Sequence, residues 1–302
     1  MIRFERLQLL RREEYDRYLL NAGRGCGYSF VNLYLWGRQR AAFVDGFLTV
    51  FSQFDRRAVY PFPLGEGEIR PVLDAIIHDA KQRGIPCCII GMNKDDCESL
   101  EKLYPGRFRF YNDRDGYDYV YHIDDLADLK GRKFQRKRNH VNRFYDAHPL
   151  CRLEPLTPAN LEAVQDMATG WYLRRQAKDP DGDYHLEQLA LMRALADPHK
   201  LGLEGLVLLE GERVLAFSMA SRLSEDTFDI HFEKARDDMD GAYTAINQAF
   251  AKYLRDKHPE VRFLNREDDM GLEGLRKAKL SYQPAFLVEK FWARLWEEED
   301  ET

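Results

Sequence analysis

Three polar side chains alternate along one predicted strand in the second half of the chain. In TFDIHFEKA, residues 227–235, the side chains of Asp229, His231 and Glu233 share one face, because side chains alternate sides along a strand. An imidazole titrates near neutral pH, and a carboxylate can accept a proton from an attacking nucleophile. We therefore predict His231 and Glu233 as catalytic residues. The alternative is a solvent-exposed face, or a hydrogen-bonded core histidine.

A second polar cluster follows the predicted strand VRFLN. The sequence NREDDMG begins at Asn265 and should lie beyond the carboxyl end of that strand, where open α/β sheets bind their ligands. Carboxylates beside Arg266 could hold an ammonium group or deprotonate an attacking amine. We predict Glu267 and Asp268 as catalytic residues, and Asn265 and Arg266 as substrate-binding residues. The alternative is that Asp268 or Asp269 caps the following helix.

The third feature is the basic run LKGRKFQRKRNHVNRFY, residues 129–145. It carries seven basic residues and no acidic one, although the whole chain has 45 Lys and Arg, 51 Asp and Glu, and a formal charge of -6. Arg and Lys at this density are typical of phosphate binding. The alternative is a linker helix that pairs with acidic neighbours. The predicted anion-binding residues are Arg132, Lys133, Arg136, Lys137, Arg138, Asn139 and Asn142, with Lys277 and Lys279 from a later helix.

Helical periodicity divides this basic run into two faces. Phe134, Val141 and Tyr145 form an apolar stripe, Arg138 falls inside it, and Lys137 lies beside it. An arginine near the inner face is costly unless it is paired or contacts a ligand. We therefore expect loss of Arg138 to weaken anion binding more than loss of an outward arginine. The outward face carries Arg132, Arg136, Asn139 and Arg143.

Two glycine-containing turns could hold the pyrophosphate of an acyl-CoA, because backbone N–H groups at a helix N-terminus bind phosphate. PLGEGEIRP offers Gly65 and Gly67, and EKARDDMDGAYTAIN offers Gly241. Acidic residues weaken both turns as phosphate sites. These residues are Glu66 and Glu68 in the first turn, and Asp237, Asp238 and Asp240 in the second.

Five cysteines without regular spacing argue against a disulfide framework. The chain has no CxxC or HxxxH spacing, so we predict no metal site. Cys26, between Gly25 and Gly27, is either a nucleophile or a residue of a tightly packed loop.

Strands and helices alternate through the chain in a pattern typical of an α/β protein with mixed sheets. YSFVNLYLWG and the closing segment AFLVEKFWARL are predicted strands, and LEGLVLLEGERVLAFSMASRL is a predicted hairpin that turns at Glu210 and Gly211. GEIRPVLDAIIHDAKQRG, with apolar residues at helical spacing, is a predicted helix that ends at Gly84. Each half follows the order hairpin, strand, helix, strand, short helix, strand, which favours two tandem domains. We predict an N-terminal domain over 1–128, a basic connecting helix over 129–150 and a C-terminal domain over 151–302. No apolar run approaches 18 residues and no signal peptide is evident, so a cytoplasmic location without a membrane segment is expected.

Two motifs, NREDDMGLEGLRKAKLSYQP and KGRKFQRKRNHVNRF, resemble the family related to the C-terminal domain of phosphatidylglycerol lysyltransferase. The resemblance spans nearly the whole chain and implies two tandem GNAT-like acyltransferase domains. It also implies similarity to the Fem transferases, which move an aminoacyl group from aminoacyl-tRNA to an acceptor. The acceptor and the amino acid are not implied.

Three functions follow. The first is a lysyltransferase-like aminoacyltransferase that uses aminoacyl-tRNA as donor and needs no cofactor. The second is an acyl-CoA-dependent N-acyltransferase that uses acetyl-CoA or another acyl-CoA. The third is a non-catalytic module that binds RNA or another anion. The expected partner is tRNA or another anionic, phosphate-bearing ligand, and the oligomeric state stays open.

Overall fold

The computed structural model describes residues 1–20, 22–54, 57–180, 182 and 184–296. These residues form two compact units. Unit 1 comprises residues 1–118, 268–272 and the described residues from 288 onward, and unit 2 comprises residues 119–267 and 273–287. The division differs from the predicted domain ranges, since the segment 119–150 belongs to unit 2 and residues from both ends of the chain belong to unit 1.

The described helices are mostly short and amphipathic. They are α1 (Arg12–Leu19), α2 (Phe30–Leu35), α3 (Arg70–Arg83), α4 (Lys94–Leu103), α5 (Ile123–Asp128), α6 (Gln135–Ala147), α7 (Leu161–Lys178), α8 (His185–Ala196), α9 (Ala242–Lys257) and α10 (Glu273–Leu280). No helix of the described residues is long and apolar enough to cross a membrane.

The strands fall into two mixed sheets. They are β1 (Glu5–Arg6), β2 (Arg38–Val44), β3 (Phe47–Phe54), β4 (Arg57–Pro61), β5 (Leu64–Gly65), β6 (Cys88–Met92), β7 (Phe108–Asn112), β8 (Asp118–His122), β9 (Cys151–Pro155), β10 (Glu204–Glu210), β11 (Arg213–Ser224), β12 (Thr227–Ala235), β13 (Phe263–Asn265), β14 (Phe286–Val288) and β15 (Phe291–Leu295).

The sheet of unit 1 has the strand order β1-β2-β3-β4-β6-β15-β7, with β5 paired to β3. Helix α3 covers it with Val72, Leu73 and Ile76, which recur at helical spacing and are fully buried. This helix ends at Gly84, whose φ of 66° is left-handed. The apolar periodicity and the terminal glycine therefore predicted this element correctly.

The sheet of unit 2 has the order β14-β8-β13-β12-β11-β10-β9. Strands β12 and β13 are parallel, whereas β10, β11 and β12 form an antiparallel meander. Helix α9 packs Ile246, Phe250 and Leu254 against this sheet, and all three are fully buried. Burying each such side chain contributes about 1.5–3 kcal/mol. The strand order places β12 and β13 in the middle of this sheet.

Two predicted elements differ from the structure. The aromatic run YSFVNLYLWG was predicted as a strand, but residues 30–35 form helix α2, whose first turn is capped by the Ser29 hydroxyl. The closing segment AFLVEKFWARL was predicted as one strand, but it forms two. Its first part, β14, extends the sheet of unit 2, and its second part, β15, lies inside the sheet of unit 1.

Candidate functional site

Glu233 and Arg266 form a nearly buried ion pair in unit 2. Arg266 lies just beyond β13, and its Nη2 donates a hydrogen bond to Glu233 Oε1 on the adjacent strand β12 over 2.8 Å. Asn247 of helix α9 donates from Nδ2 to the other carboxylate oxygen over 3.1 Å. Only 14% of the Arg266 side chain and 11% of the Glu233 side chain are exposed. Two residues predicted from separate motifs thus meet.

Arg266 is held in place from several sides. Its guanidinium lies 4.8 Å from the ring centre of Tyr282 and 5.7 Å from that of Tyr121. Lys279 Nζ donates to the Arg266 carbonyl over 2.5 Å. Burial works to lower the pKa of Arg266, but Glu233 and the two tyrosines raise it above its ordinary value. The guanidinium therefore stays charged although it is buried.

The inner face of helix α6 brings Lys137 to the same place. Its Nζ lies 3.7 Å from the centre of the Tyr282 ring. Burial, followed by repulsion from Arg266 and Arg136, lowers the pKa of Lys137 to about 8. An ammonium with this pKa can lose its proton near neutral pH, which an ordinary lysine cannot do.

Three buried polar atoms around Glu233 have no hydrogen-bond partner among the described residues. They are Arg266 Nη1, a donor, Asn247 Oδ1, an acceptor, and Ser218 Oγ, which can act as either. Ser218 lies directly opposite Glu233 in the pairing of β11 with β12. A buried polar atom without a partner costs about 1–3 kcal/mol. A ligand that offers both an acceptor and a donor would satisfy this set.

His231 and Glu267 also lie close together. His231 precedes Glu233 by two residues in β12. His231 Nδ1 lies 3.4 Å from Glu267 Oε1 and 3.7 Å from Asp229 Oδ2. His231 Nε2 lies 2.8 Å from the Ser221 hydroxyl. The side chains of Asp229 and His231 have no exposed surface. The polar face of β12 is therefore buried, and the solvent-exposed alternative does not hold.

The remaining residues of NREDDMG have other environments. Asn265 is fully buried, and its Oδ1 accepts a hydrogen bond from the backbone N–H of Glu267 over 2.6 Å. Asp268 and Asp269 belong to unit 1. Asp269 Oδ1 accepts from the Gly271 N–H over 3.0 Å, and its Oδ2 lies 3.5 Å from Arg114 Nη1. Asp269 thus braces the turn that precedes α10.

The outer face of α6 forms a shallow, open cavity of about 510 Å³. Its volume is in the range of small-ligand sites. Asp240 is the acidic residue beside it, with a carboxylate 3.9 Å from Arg143 and 3.7 Å from His140. The cavity is lined by Arg136, Asn139, His140, Asn142 and Arg143.

Other predicted anion-binding residues have local partners. Arg138 donates from Nη1 to the carbonyls of Leu129 and Gly131, the latter over 2.7 Å, and so ties the turn before α6 to the helix. Lys133 pairs with Asp125 over 2.9 Å, whereas Arg132 is exposed. Lys277 is a solvent-exposed partner of Glu273, unlike the buried Lys279.

The two glycine turns have packing roles. A Cβ on Gly65 would lie 2.7 Å from the Gly46 carbonyl oxygen, and one on Gly241 would lie 2.7 Å from the His140 carbonyl oxygen. In the second turn, Asp237 pairs with Arg174 and Lys178. The close approach of the backbone therefore accounts for glycine at both places, and no bound phosphate is needed to explain it.

Cys26 lies in a buried charged group of unit 1. Lys290 Nζ donates to Asp118 Oδ1 over 2.6 Å and to Cys26 Sγ over 3.3 Å. The Cys26 N–H donates to Asp118 Oδ2 over 2.6 Å. Burial lowers the pKa of Lys290, but the charges of Asp118, Cys26 and Asp268 raise it well above its ordinary value. This group connects the loop at Cys26 to the segment that contains Lys290.

Residues 20–294 match the family model described as "Phosphatidylglycerol lysyltransferase, C-terminal". The chain belongs to this family. A conserved protein of unknown function from Bacteroides thetaiotaomicron is 36% identical, with a TM-score of 0.91 over 98% of this chain and all of that one. An uncharacterized protein of Mycoplasmoides gallisepticum, MYCGA3080, is 24% identical over 59% of this chain, and the match spans only 56% of that curated protein.

More distant structures share the fold. L-PGS from Bacillus licheniformis is 16% identical, with a TM-score of 0.65 over 94% of this chain and 91% of that one. FemX is 10% identical, with a TM-score of 0.60 over 99% and 98%. A tandem GNAT protein from the clavulanic acid biosynthesis pathway is 11% identical, with a TM-score of 0.52 over 99% of this chain and all of that one. These likenesses confirm the predicted fold of two tandem GNAT-like domains.

Sequence reasoning missed three residues of the site in this family member. Tyr282 lies in the LSYQP motif, where an aromatic residue has no distinct signal. Asn247 interrupts the apolar face of α9 and is almost fully buried, and Ser218 interrupts an apolar strand. A polar residue at an apolar position of the periodic pattern was the available signal for the last two.

Proposed function

We propose that the chain transfers an aminoacyl group from aminoacyl-tRNA to a nucleophilic acceptor. The observation that carries the proposal is that one helix, α6, serves two places in unit 2. Its outer face presents Arg136 and Arg143 to solvent, and its inner residue Lys137 reaches the Glu233–Arg266 pair. A donor that is both polyanionic and esterified matches this arrangement.

The unsatisfied atoms around Glu233 fit an aminoacyl ester. Its α-ammonium is a donor, and Asn247 Oδ1 and Ser218 Oγ are buried acceptors without a partner among the described residues. Its carbonyl oxygen is an acceptor that becomes an oxyanion during attack, and Arg266 Nη1 is a buried donor. Donors preorganised in a dry site stabilise such a charge more strongly than water does.

The reaction then proceeds by acyl transfer. The acceptor attacks the ester carbon, and the new bond forms as the carbonyl becomes an oxyanion beside Arg266. Collapse of this intermediate breaks the bond to the ribose oxygen of the tRNA, which leaves and gains a proton, while the acceptor loses one. We assign the acceptor's proton to Lys137, because its pKa of about 8 lets it act as a base near neutral pH.

His231, Glu267 and Asp268 were predicted as further catalytic groups. The His231 side chain has no exposed surface, so we propose that it supports the site without touching the acceptor. Asp268 lies in unit 1 beside Lys290, and we propose no role for it in the transfer.

Phosphate binding is assigned to the outer face of α6. Arginines of this kind neutralise backbone phosphates and release counterions, so binding weakens as salt increases. Asp240 lies next to this face and limits it to a small number of phosphates. The acidic balance of the whole chain, -6, disfavours broad nucleic-acid binding. A short stretch of tRNA backbone near its charged end is therefore the proposed contact.

The test measures binding and transfer separately. Fluorescence anisotropy at low salt should show saturable binding of aminoacylated and uncharged tRNA. Arg136→Ala and Arg143→Ala should each weaken binding, and Lys277→Ala, which removes an exposed lysine paired with Glu273, should not. Glu233→Gln and Arg266→Lys should leave tRNA binding intact but reduce the protein-dependent loss of the aminoacyl ester when amine and hydroxyl acceptors are supplied.

The other outcomes are informative. Absence of tRNA binding at low salt would overturn the proposal. Binding without ester loss for any acceptor would favour a non-catalytic binding module. A clear thermal shift with acetyl-CoA, in the absence of tRNA binding, would favour an acyl-CoA-dependent enzyme.

A further inference from the structure

We propose that Asp229, His231 and Glu267 bind a divalent cation in tetrahedral coordination, with Zn²⁺ as the best-fitting ion. Their ligand atoms, one from each residue, lie within 4.8 Å of one another. Histidine nitrogen and carboxylate oxygen are both ligands that zinc uses in proteins. The absence of a metal site was predicted from ligand spacing, which does not reveal a site whose ligands come from the separate positions 229, 231 and 267.

The distances between the proposed ligand atoms are longer than those of ordinary hydrogen bonds. His231 Nδ1 is 3.4 Å from Glu267 Oε1 and 3.7 Å from Asp229 Oδ2. N–H···O hydrogen bonds span about 2.7–3.2 Å, so both separations are long. In a tetrahedral zinc site with bonds of about 2.0–2.2 Å, neighbouring ligand atoms are about 3.3–3.6 Å apart. The 3.4 Å separation lies in this range and the 3.7 Å separation is slightly above it, so both are close to the spacing of ligands around one ion.

The surrounding structure orients the imidazole for this role. Ser221 Oγ lies 2.8 Å from His231 Nε2. A histidine that binds metal through one ring nitrogen usually donates its other N–H to a fixed acceptor, which sets the tautomer. The pairing of β11 with β12 also shifts register between Met219 and Ala220, beside His231. A bulge at this position re-aims a strand side chain.

Glu267 supplies the third ligand from the loop after β13. Its backbone has a φ of 55°, a left-handed conformation that is unfavourable for a residue with a side chain. Its N–H donates to Asn265 Oδ1, which holds the turn. The Glu267 side chain is 23% exposed, whereas those of Asp229 and His231 are not exposed at all. An ion would enter from the Glu267 side and keep one coordination position for water.

Charge also favours a cation here. Asp229 and Glu267 offer carboxylate oxygens, which are anionic ligands suited to a divalent cation. Because the ion would fix β12 to the loop that follows Arg266, it would also position that arginine.

The experiment uses the full chain stripped with a chelator and titrated with Zn²⁺ and then with Co²⁺. Calorimetry should show one Zn²⁺ per chain, and Zn²⁺ should raise the melting temperature. Bound Co²⁺ should give the visible absorption of a tetrahedral ion with nitrogen and oxygen ligands. A strong near-ultraviolet charge-transfer band would instead indicate binding by one of the five cysteines.

Three variants sharpen the result. Glu267→Gln should weaken Zn²⁺ binding at least about 100-fold, and Ser221→Ala should weaken it about 10–100-fold, the usual effect of losing the partner of a ligating histidine. Glu273→Gln, at an exposed position, should bind like the parent chain. No saturable Zn²⁺ binding by the unaltered chain, or equal binding by Glu267→Gln, would overturn the proposal whether or not tRNA is bound.

Discussion

The ammonium of Lys137 and the guanidinium of Arg266 share one aromatic ring, that of Tyr282. Lys137 Nζ lies 3.7 Å from its centre and Arg266 Cζ lies 4.8 Å from it. A ring face attracts a cation, but two cations at one ring repel each other. Glu233 accepts a hydrogen bond from Arg266 over 2.8 Å, so Arg266 keeps its charge. Besides burial, the repulsion between the two cations therefore lowers the pKa of Lys137.

This relationship predicts how stability depends on pH. The pKa of Lys137 is about 8 in the folded chain and 10.5 as the ordinary value. Between these values the unfolded chain binds the extra proton, so the contribution of Lys137 to the unfolding free energy rises as pH increases from 8 to 10.5. Below pH 8 Lys137 is charged in both the folded and the unfolded chain, so the full destabilisation by its partly buried charge remains.

Denaturant unfolding of the parent chain and of Lys137→Met at pH 7.5 and pH 10 measures this. From pH 7.5 to pH 10 the unfolding free energy of the parent should rise by about 1–3 kcal/mol relative to that of the variant, allowing for the partial exposure of Lys137. Use of the difference removes the titration of tyrosines common to both proteins. An equal difference at the two pH values would contradict the lowered pKa.

Arg138 and Arg143 should separate stability from anion binding. The sequence predicted the larger binding loss for Arg138, but its Nη1 is engaged by the carbonyls of Leu129 and Gly131. Arg138→Ala should therefore destabilise the fold by about 1–3 kcal/mol, because charged hydrogen bonds are lost. Arg143→Ala should leave stability nearly unchanged and weaken tRNA binding. Anisotropy and thermal unfolding of both variants check this, and a larger binding loss for Arg138→Ala would restore the original prediction.

Gly241 should tolerate no side chain. Its φ is 84° and a Cβ there would lie 2.7 Å from the His140 carbonyl oxygen, so Gly241→Ala must shift α6 or α9. Gly211 is a matched control, because its φ is 61° but no atom lies within 4 Å of a Cβ. Gly211→Ala should cost about 1–2 kcal/mol for the left-handed backbone alone, and Gly241→Ala should cost more. Equal losses of unfolding free energy for the two variants in chemical denaturation would show that the backbone relieves the contact with His140 at little cost.

Lys290 and Cys26 make a further matched pair in unit 1. Lys290→Met removes the ion pair between Lys290 and the buried Asp118 carboxylate and should destabilise the fold by about 3–5 kcal/mol. Cys26→Ser retains the backbone N–H that Asp118 accepts and should cost much less. Urea midpoints at constant slope measure both. A large loss for Cys26→Ser would mean that the thiol, not the ion pair, secures this loop.

The fold was predictable where one period dominated. Helix α3 and the β10–β11 hairpin followed from apolar spacing and their terminal glycines. Helix α2 was not predictable in this way, because apolar residues on several of its sides hide the helical period. Its buried residues are Phe30, Val31, Leu33 and Leu35. The Ser29 cap was the available signal.

The site was predictable as separate motifs and not as an assembly. Glu233, Arg266 and Lys137 were each chosen for local reasons, and their convergence depends on the parallel pairing of β12 with β13 and on the packing of α6. Arg138 illustrates the limit, because periodicity correctly placed it near the inner face. The residue's backbone partners, however, come from a turn that periodicity does not describe.

Strand β15 has a consequence for how the chain matures. It lies between β6 and β7, so residues 291–295 complete the interior of a sheet whose other strands all lie before residue 113. During synthesis from the N-terminus, β6 and β7 cannot be bridged until residues 291–295 have been made. Until then their edges are exposed to other nascent chains. A truncation near residue 285 should therefore damage the beginning of the protein more than its end.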